Sequence, residues 1–554
     1  MSTSKAQEQQ QASSIHFDSV IIGAGFAGIR SSYELEKLGR SYKVFEQGSD
    51  VGGTWYWNRY PGARTDTESW GYCFFFSKEL NDEWDWTERM PTWEQVQKYM
   101  VYVVDRLNLR QHMEFNTAVT SAHYNEEENL WYITTNKGET VTCTYFISGM
   151  GWFEVPCKPD FKGIDSFKGE WYLPSRWPKE PVDFKGKRVG IIGSGSTAVQ
   201  ILVAVSQLAE HVSIFQRTPN YVLPGRNYPV DEYENLRKKQ SFEQIIEQTR
   251  KQVFAFPMED SAIFYDDVDD EERQRILEAG WEAGGFRYIF ETFGDITTDI
   301  RSNEAACEFV RNKIRSIVKD PATAELLCPK YPIALKRPPV CNFYYECFNR
   351  PNVSLVDVSE TAISEITPDG VRVGDTEHKF DILIFAMGYD AVTGPLMNLD
   401  VQGVGGQTIA QKWQHGPRTH LGITIDGFPN MFILTGPQTP FSNVPPVTEI
   451  AVSYISKMLQ YMESHNYERV DTKPEAVEAW GKLMSELISK TLMKDAVKQG
   501  SWFMGANVPG KPHSVLFYFG GAAGYFDEVE KELAENFPSY DFSSMPKEAI
   551  ARSA

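Results

Sequence analysis

Asp18-Ser-Val-Ile-Ile-Gly23-Ala-Gly25-Phe-Ala-Gly28 is an apolar strand running into a glycine turn and then a helix. A turn of this G-x-G-x-x-G form lets a pyrophosphate approach the backbone closely, and the amides at the helix N-terminus bind its charge. The next strand, Tyr42-Lys-Val-Phe-Glu46, ends on an acid suited to hydrogen-bond ribose hydroxyls. The same unit recurs as Arg188-Val-Gly-Ile-Ile-Gly193-Ser-Gly195-Ser196-Thr197-Ala198, whose following strand, Val212-Ser-Ile-Phe-Gln-Arg217, ends on a cation instead. Arg217 suits a 2′-phosphate, so the second unit favours NADP over NAD. One such turn is weak, because glycine turns also close hairpins and helix ends. Two, each in strand–turn–helix context and each followed by its charged residue at nearly the same spacing, specify an α/β protein with two Rossmann-like dinucleotide-binding domains.

Composition agrees with a large soluble enzyme. The 554 residues are 42% hydrophobic and 13% aromatic, enough to bury more than one core. A net charge of −20 argues against nucleic acid or an acidic membrane as partner, because both demand a basic surface. NADP is anionic too, so local cations must meet it. The uncharged run from Val189 to Ala209 is broken by glycine, serine and glutamine and reads as strand, turn and helix rather than a membrane span. Residues 1–15 lack a basic start and an apolar stretch; they read as a disordered polar tail, and the protein as cytoplasmic. The 7 cysteines are odd in number and scattered, which disfavours a disulfide framework, and none forms the C-x-x-C pair of flavoproteins that reduce disulfides. No metal-ligand cluster stands out among the 9 histidines.

Residues 16–150 read as one α/β unit, with Met113 to Thr135 as a β hairpin turning at Asn125-Glu-Glu-Glu-Asn. Tyr145-Phe-Ile-Ser-Gly149-Met-Gly151 is a strand ending in a glycine pair, expected to cross into a second domain over 151–389. Within that domain, 225–330 reads as a mostly helical insertion: Cys307, Val310, Ile314 and Ile317 recur at helical spacing until Pro321. Asp381-Ile-Leu-Ile-Phe-Ala-Met-Gly388-Tyr-Asp390 echoes the first crossing, so 390–554 is expected to return to the first domain.

Three further stretches carry chemistry. Gly52-Gly-Thr54-Trp55-Tyr-Trp57-Asn-Arg59-Tyr60-Pro-Gly-Ala-Arg64-Thr-Asp66 is either a tight aromatic core loop or a wall against a flat cofactor ring. Lys336-Arg337-Pro338-Pro339, seen alone, would be a solvated basic pair before a rigid turn. Trp502-Phe-Met-Gly-Ala-Asn507-Val-Pro-Gly510-Lys reads as a loop closing over a ligand or as an anchoring tryptophan. Together with the two glycine turns and Phe167-Lys-Gly169-Glu-Trp-Tyr-Leu173-Pro-Ser-Arg-Trp177, these stretches resemble the type I Baeyer–Villiger monooxygenases over nearly the whole chain. The last of them departs from the family's F-x-G-x-x-x-H-x-x-x-W signature at one position, where Leu173 replaces histidine.

The resemblance implies that NADPH reduces FAD and that a flavin C4a-peroxide formed with O2 attacks a ketone to give an ester or lactone. It assigns the catalytic roles to Arg337, as the cation beside the reacting anion, and to Asp66, as the carboxylate that orients it. Gly23, Gly25, Gly28, Glu46, Thr54, Trp55, Tyr60, Tyr72 and Val119, with Gly193, Gly195, Ser196 and Thr197, become cofactor contacts; Arg217, Lys336 and Trp502 hold NADP. Gln438 to Pro446 lines the substrate pocket, and its prolines with Phe441 imply a hydrophobic ketone. Two alternatives stay open: a flavin monooxygenase that oxygenates nitrogen or sulfur, and a redox sensor or uncoupled NADPH oxidase whose oxygenating function decayed with the Leu173 change.

Overall fold

The computed structural model describes residues 15–544. The polar tail expected over 1–15 therefore lies outside the described residues except for Ile15. Six strands come first: β1 (His16–Ile22), β2 (Tyr42–Phe45), β3 (Met113–Glu114), β4 (Val119–Asn125), β5 (Leu130–Thr135) and β6 (Thr140–Ser148). Helix α1 (Phe26–Lys37) follows β1 directly after the first glycine turn. β1 lies between β2 and β6, parallel to both, and Val20 and Ile21 in its second half are fully buried. Such burial on both faces is why this strand reads as a continuous apolar run. The hairpin expected from Met113 starts later, at Val119, because Met113–Glu114 instead adds a parallel edge beside β2.

The second unit holds β7 (Glu170–Tyr172), β8 (Arg188–Ile192), β9 (His211–Gln216), β10 (Val353–Asp357), a three-stranded antiparallel meander β11–β13 (Ile363–Thr367, Gly370–Val373, Thr376–Lys379) and β14 (Ile382–Phe385). Apart from the meander these strands form a parallel sheet of order β10-β9-β8-β14-β7, with helix α2 (Ser196–Val205) following β8. Six helices between Glu232 and Leu327 separate β9 from β10. In the helix Ile300–Ile317, Cys307, Val310 and Ile314 are fully buried, matching their spacing. That helix ends at Ile317, before Pro321. The proline opens the next one, Pro321–Leu327, whose cap is the Asp320 carboxylate accepting from the Thr323 amide.

After β14 the chain adds β15 (Asp400–Gln402) to β4 and β16 (Met431–Ile433) to β6, so strands from both ends of the sequence build the first sheet. The β5 hairpin pairs with the first half of β6 and peels away, leaving Phe146–Ser148 for β16. The long helix α3 (Val444–His465) then packs on α1. Among the described residues no helix is long and apolar enough to cross a membrane.

Candidate active site and nucleotide turns

Both glycine turns sit at the C-terminal edge of a parallel strand, where a second strand's glycine or alanine crowds them. Gly23 has φ +93°, and a Cβ there would come within 3.0 Å of the Gly149 carbonyl; a Cβ on Gly28 would lie 1.8 Å from the Gly23 carbonyl. Gly193 has φ +124°, and a Cβ there would lie 2.3 Å from the Ala386 carbonyl. Only glycine satisfies both the backbone angle and the approach. Gly195, by contrast, is exposed and a Cβ there would meet nothing within 4 Å, so space is open in front of Ser196 and Thr197 at the start of α2. Neither α1 nor α2 has a side chain capping its first turn, which leaves the N-terminal amides to a ligand.

Glu46 is buried just beyond β2. Its Oε2 accepts from the Ala24 amide at 2.8 Å and its Oε1 from the Gly48 amide at 2.6 Å, so it braces the glycine turn itself. Burial pushes its carboxyl upward against the pull of those two backbone bonds. Val119, the first residue of β4, lies near this end of β2, since the Thr117 amide donates to the Glu46 carbonyl at 2.9 Å. Gly25 packs against Gly53, at the head of the aromatic loop. There Thr54 is exposed, the Trp55 indole donates to the Tyr72 hydroxyl at 3.1 Å, and Tyr72 stands edge-on to Phe26 of α1. Burial raises the Tyr72 hydroxyl well above its ordinary range and the Tyr60 hydroxyl to about 12.

Arg217 directly follows β9, is exposed, and has no ion-pair partner among the described residues. Lys336 lies close enough to feel its charge. Burial, and then Arg217, lower the Lys336 ammonium to about 8. Among the described residues neither of these two cations has an ion-pair partner, so their repulsion is uncompensated.

Arg337, next in the chain, is held differently. Its Nε donates to Asp66 Oδ2 at 3.0 Å and its Nη2 to both Asp66 oxygens at 2.7 Å, a fork in which each side chain stays about a quarter exposed. Its guanidinium carbon sits 4.9 Å from the Phe286 ring centre and 5.3 Å from that of Phe441. Trp502 begins a three-residue turn and is ringed by Phe153, Phe441, Phe503 and Phe517 at 4.8–5.6 Å. Its loop is tied back to the second crossing by Lys511, which pairs with Asp390, and by the Asn507 amide, which donates to the Tyr389 carbonyl at 2.9 Å. Cation, carboxylate and aromatic wall thus come together from four separate stretches of chain, around Asp66, Phe286, Arg337 and Phe441.

Residues 20–250 match the pyridine nucleotide-disulphide oxidoreductase family. Among characterised proteins, the chain is 43% identical to a Baeyer–Villiger monooxygenase of Pseudooceanicola batsensis over 94% of its own length and 96% of the relative's. The chain belongs to the Baeyer–Villiger monooxygenase family. It is also 40% identical to phenazine N-monooxygenase PhzNO1 of Lysobacter antibioticus, over 97% of this chain and 99% of that one. The NADP+-bound crystal structure of cyclohexanone monooxygenase from Rhodococcus sp. Phi1 superposes with a TM-score of 0.94 at 40% identity, covering 96% of this chain and all (100%) of that one.

Against the family signature, Leu173 is half-buried on the edge of a cluster with Phe215, Phe380, Leu383 and Phe385. The signature's Trp177 is buried, with ring contacts to Tyr172 and Phe184. Two residues around the Arg337–Asp66 pair had no linear signal. Phe286 lies in the helical insertion behind a Gly-Gly pair, and Glu68 is a fully buried acid two positions after Asp66. Only the fold brings either of them toward Arg337.

Proposed function

We propose that this enzyme uses NADPH and O2 to convert a hydrophobic ketone to the corresponding ester or lactone, with Asp66 and Arg337 as its catalytic pair. The single observation that carries the reading is the forked Arg337–Asp66 pair presented between Phe286 and Phe441. FAD and NADP, when bound, supply hydride transfer and the activation of oxygen. Everything else falls to the chain. Gly23, Gly25 and Gly28 with α1 receive the FAD pyrophosphate, and Glu46 holds that turn in shape. Thr54, Trp55, Tyr60, Tyr72 and Val119 line the same side. Gly193, Gly195, Ser196 and Thr197 receive the pyrophosphate of NADP, Arg217 and Lys336 its 2′-phosphate, and Trp502 closes over it.

Arg337 stabilises the negative charge that develops on the substrate carbonyl oxygen. Asp66 takes no proton; it fixes the plane of the guanidinium so that the cation is oriented before charge appears. The Phe286 and Phe441 rings exclude water from that charge, which strengthens the interaction. The unpaired thiols suit a reducing compartment, and the cytoplasm is the location this reading carries.

Heteroatom oxygenation is the second reading, favoured by the 40% identity to a phenazine N-monooxygenase. Both are tested on purified yellow enzyme by following NADPH consumption with ketones, with an N-heteroaromatic, and with neither, and identifying the products. Ester from ketones supports the first reading and N-oxide the second; peroxide alone would refute both. Arg337→Ala should still bind FAD and be reduced by NADPH while ester formation falls roughly a hundredfold or more, as for loss of an oxyanion donor.

A further inference from the structure

Glu68 is a buried carboxylate with two arginines on one oxygen. Its Oε1 accepts from Arg89 Nη2 at 3.0 Å and from Arg287 Nε at 3.3 Å, and 2% of its side chain is exposed. Arg89 also donates from Nη1 to the carbonyls of Ala283 at 3.0 Å and Arg226 at 3.3 Å. Arg287 pairs on its other side with Glu291. The two arginines therefore grip both sides of one tight turn: Ala283 ends the helix Asp270–Ala283, Gly284 and Gly285 follow in left-handed conformations at φ +71° and +64°, and Phe286 precedes Arg287.

These contacts close into a ring. Asp66 binds Arg337, Arg337 lies against Phe286, Phe286 is bonded to Arg287, Arg287 binds Glu68, and Glu68 returns to Asp66 through Thr67. A buried ion cluster is weak as a source of stability, because desolvation offsets most of its attraction, but its geometry is specific. This one joins the loop that carries the Arg337 partner to the turn that carries the aromatic wall.

We propose that Glu68, with Arg89 and Arg287, is a positioning cluster that holds Phe286 against the Arg337 guanidinium and so sets how the ketone is seated over Arg337. The proposal rests on the catalytic reading of Arg337 given above. Glu68, Arg89 and Arg287 touch no reacting atom in this scheme; they act through Phe286 and Asp66.

The test is a double-mutant cycle on the holoenzyme with Arg287→Met, Phe286→Ala and their combination, plus Arg287→Lys as the conservative variant. FAD content, melting temperature, the rate of reduction by NADPH without ketone, ketone KM and the fraction of NADPH coupled to ester are read for each. Arg287→Met should retain FAD and its reduction rate, raise ketone KM roughly tenfold and lower coupling, and in the Phe286→Ala background it should add less than about twofold. Arg287→Lys should recover at least about half of the lost coupling, since it restores a cation. Full additivity in the double variant, or an unchanged ketone KM in Arg287→Met, would overturn the positioning role. Glu68→Gln should follow Arg287→Met; if it fails to fold, the partly exposed Arg287 still carries the test. Failure of the underlying reading is seen separately, as ester formation that survives Arg337→Ala.

Discussion

The Tyr60 hydroxyl donates to the side-chain oxygen of Gln200 at 3.1 Å, and the Gln200 amide in turn donates to the Arg64 carbonyl at 3.2 Å. Gly62 lets this happen, since a Cβ there would lie 2.7 Å from the Gln200 carbonyl. Tyr60, Gly62 and Arg64 belong to the aromatic loop of the first nucleotide unit, and Gln200 to α2 of the second. The aromatic loop beside the first glycine turn is thus tied to the helix of the second by a hydrogen-bonded latch. Tyr60→Phe keeps the ring and orphans the glutamine oxygen, at a cost of roughly 1–3 kcal/mol. The expected result is a lower melting temperature together with slower reduction of the flavin by NADPH at unchanged NADPH affinity, measured by stopped flow. Unchanged values for both would mean that the latch does not set the distance between the sites.

Cofactor preference should depend on pH through Lys336. With the ammonium at about 8, the free enzyme is charged below that pH and receives a 2′-phosphate directly; above it, binding must take up a proton. The NADPH KM should therefore climb above about pH 8, approaching roughly tenfold per pH unit, whereas the NADH KM should not. Arg217→Ala should reduce the preference for NADPH by roughly tenfold or more at neutral pH, the worth of a charge-assisted contact. A preference that stays flat from about pH 7 to about pH 9 would remove Lys336 from the phosphate site.

Leu173→His tests the departure from the family signature. Leu173 packs on an apolar cluster that includes Phe215, Phe380, Leu383 and Phe385, whose side chains offer an imidazole no partner. At this half-buried position the substitution should lower stability by no more than about 1 kcal/mol, the low end for an unpaired polar group, without improving the coupling of NADPH use to product. Better coupling at an unchanged melting temperature would show instead that leucine is a lesion.

Phe343 is 67% exposed yet sits at φ +63°, a conformation that bulky side chains adopt only under strain. Removing the side chain sacrifices little burial. Phe343→Gly should stabilise the protein by about 1 kcal/mol, the strain relieved less the entropy glycine loses on folding, and raise the melting temperature by roughly 1 °C. A lower melting temperature would mean that the ring makes a contact worth more than its strain.

The parts legible in sequence are those whose physics is local. Gly23 and Gly193 announce themselves because a positive φ and a close carbonyl exclude every other residue, and the end of the strand before each, Val20–Ile22 and Val189–Ile192, is apolar because both its faces are covered. Cys307, Val310 and Ile314 betray a buried helix face in the same way. The helix does end at Ile317, ahead of Pro321 as its pattern implied, while the second role of Pro321, opening the next helix behind the Asp320 cap, was not read. Glu46 looked like a pure ribose ligand, and its engagement with the Ala24 and Gly48 amides was invisible because those bonds form only when the turn folds back on the strand end. Phe286 and Glu68 could not be found at all. Neither belongs to a local pattern, and each gains its meaning from Arg337 or Arg287, more than two hundred positions away from Glu68 in the chain.

Phe146–Ser148 of β6 has β1 on one side and β16 on the other, and β16 is Met431–Ile433. During synthesis that second edge has no partner until the ribosome has passed the whole of the second unit, whose parallel sheet is already complete at β14. The half of the protein that emerges first is accordingly the half that finishes folding last, carrying an open, apolar strand edge through the interval. A chain stopped between β14 and β16 should hold a formed second sheet beside a first one with an open, aggregation-prone edge.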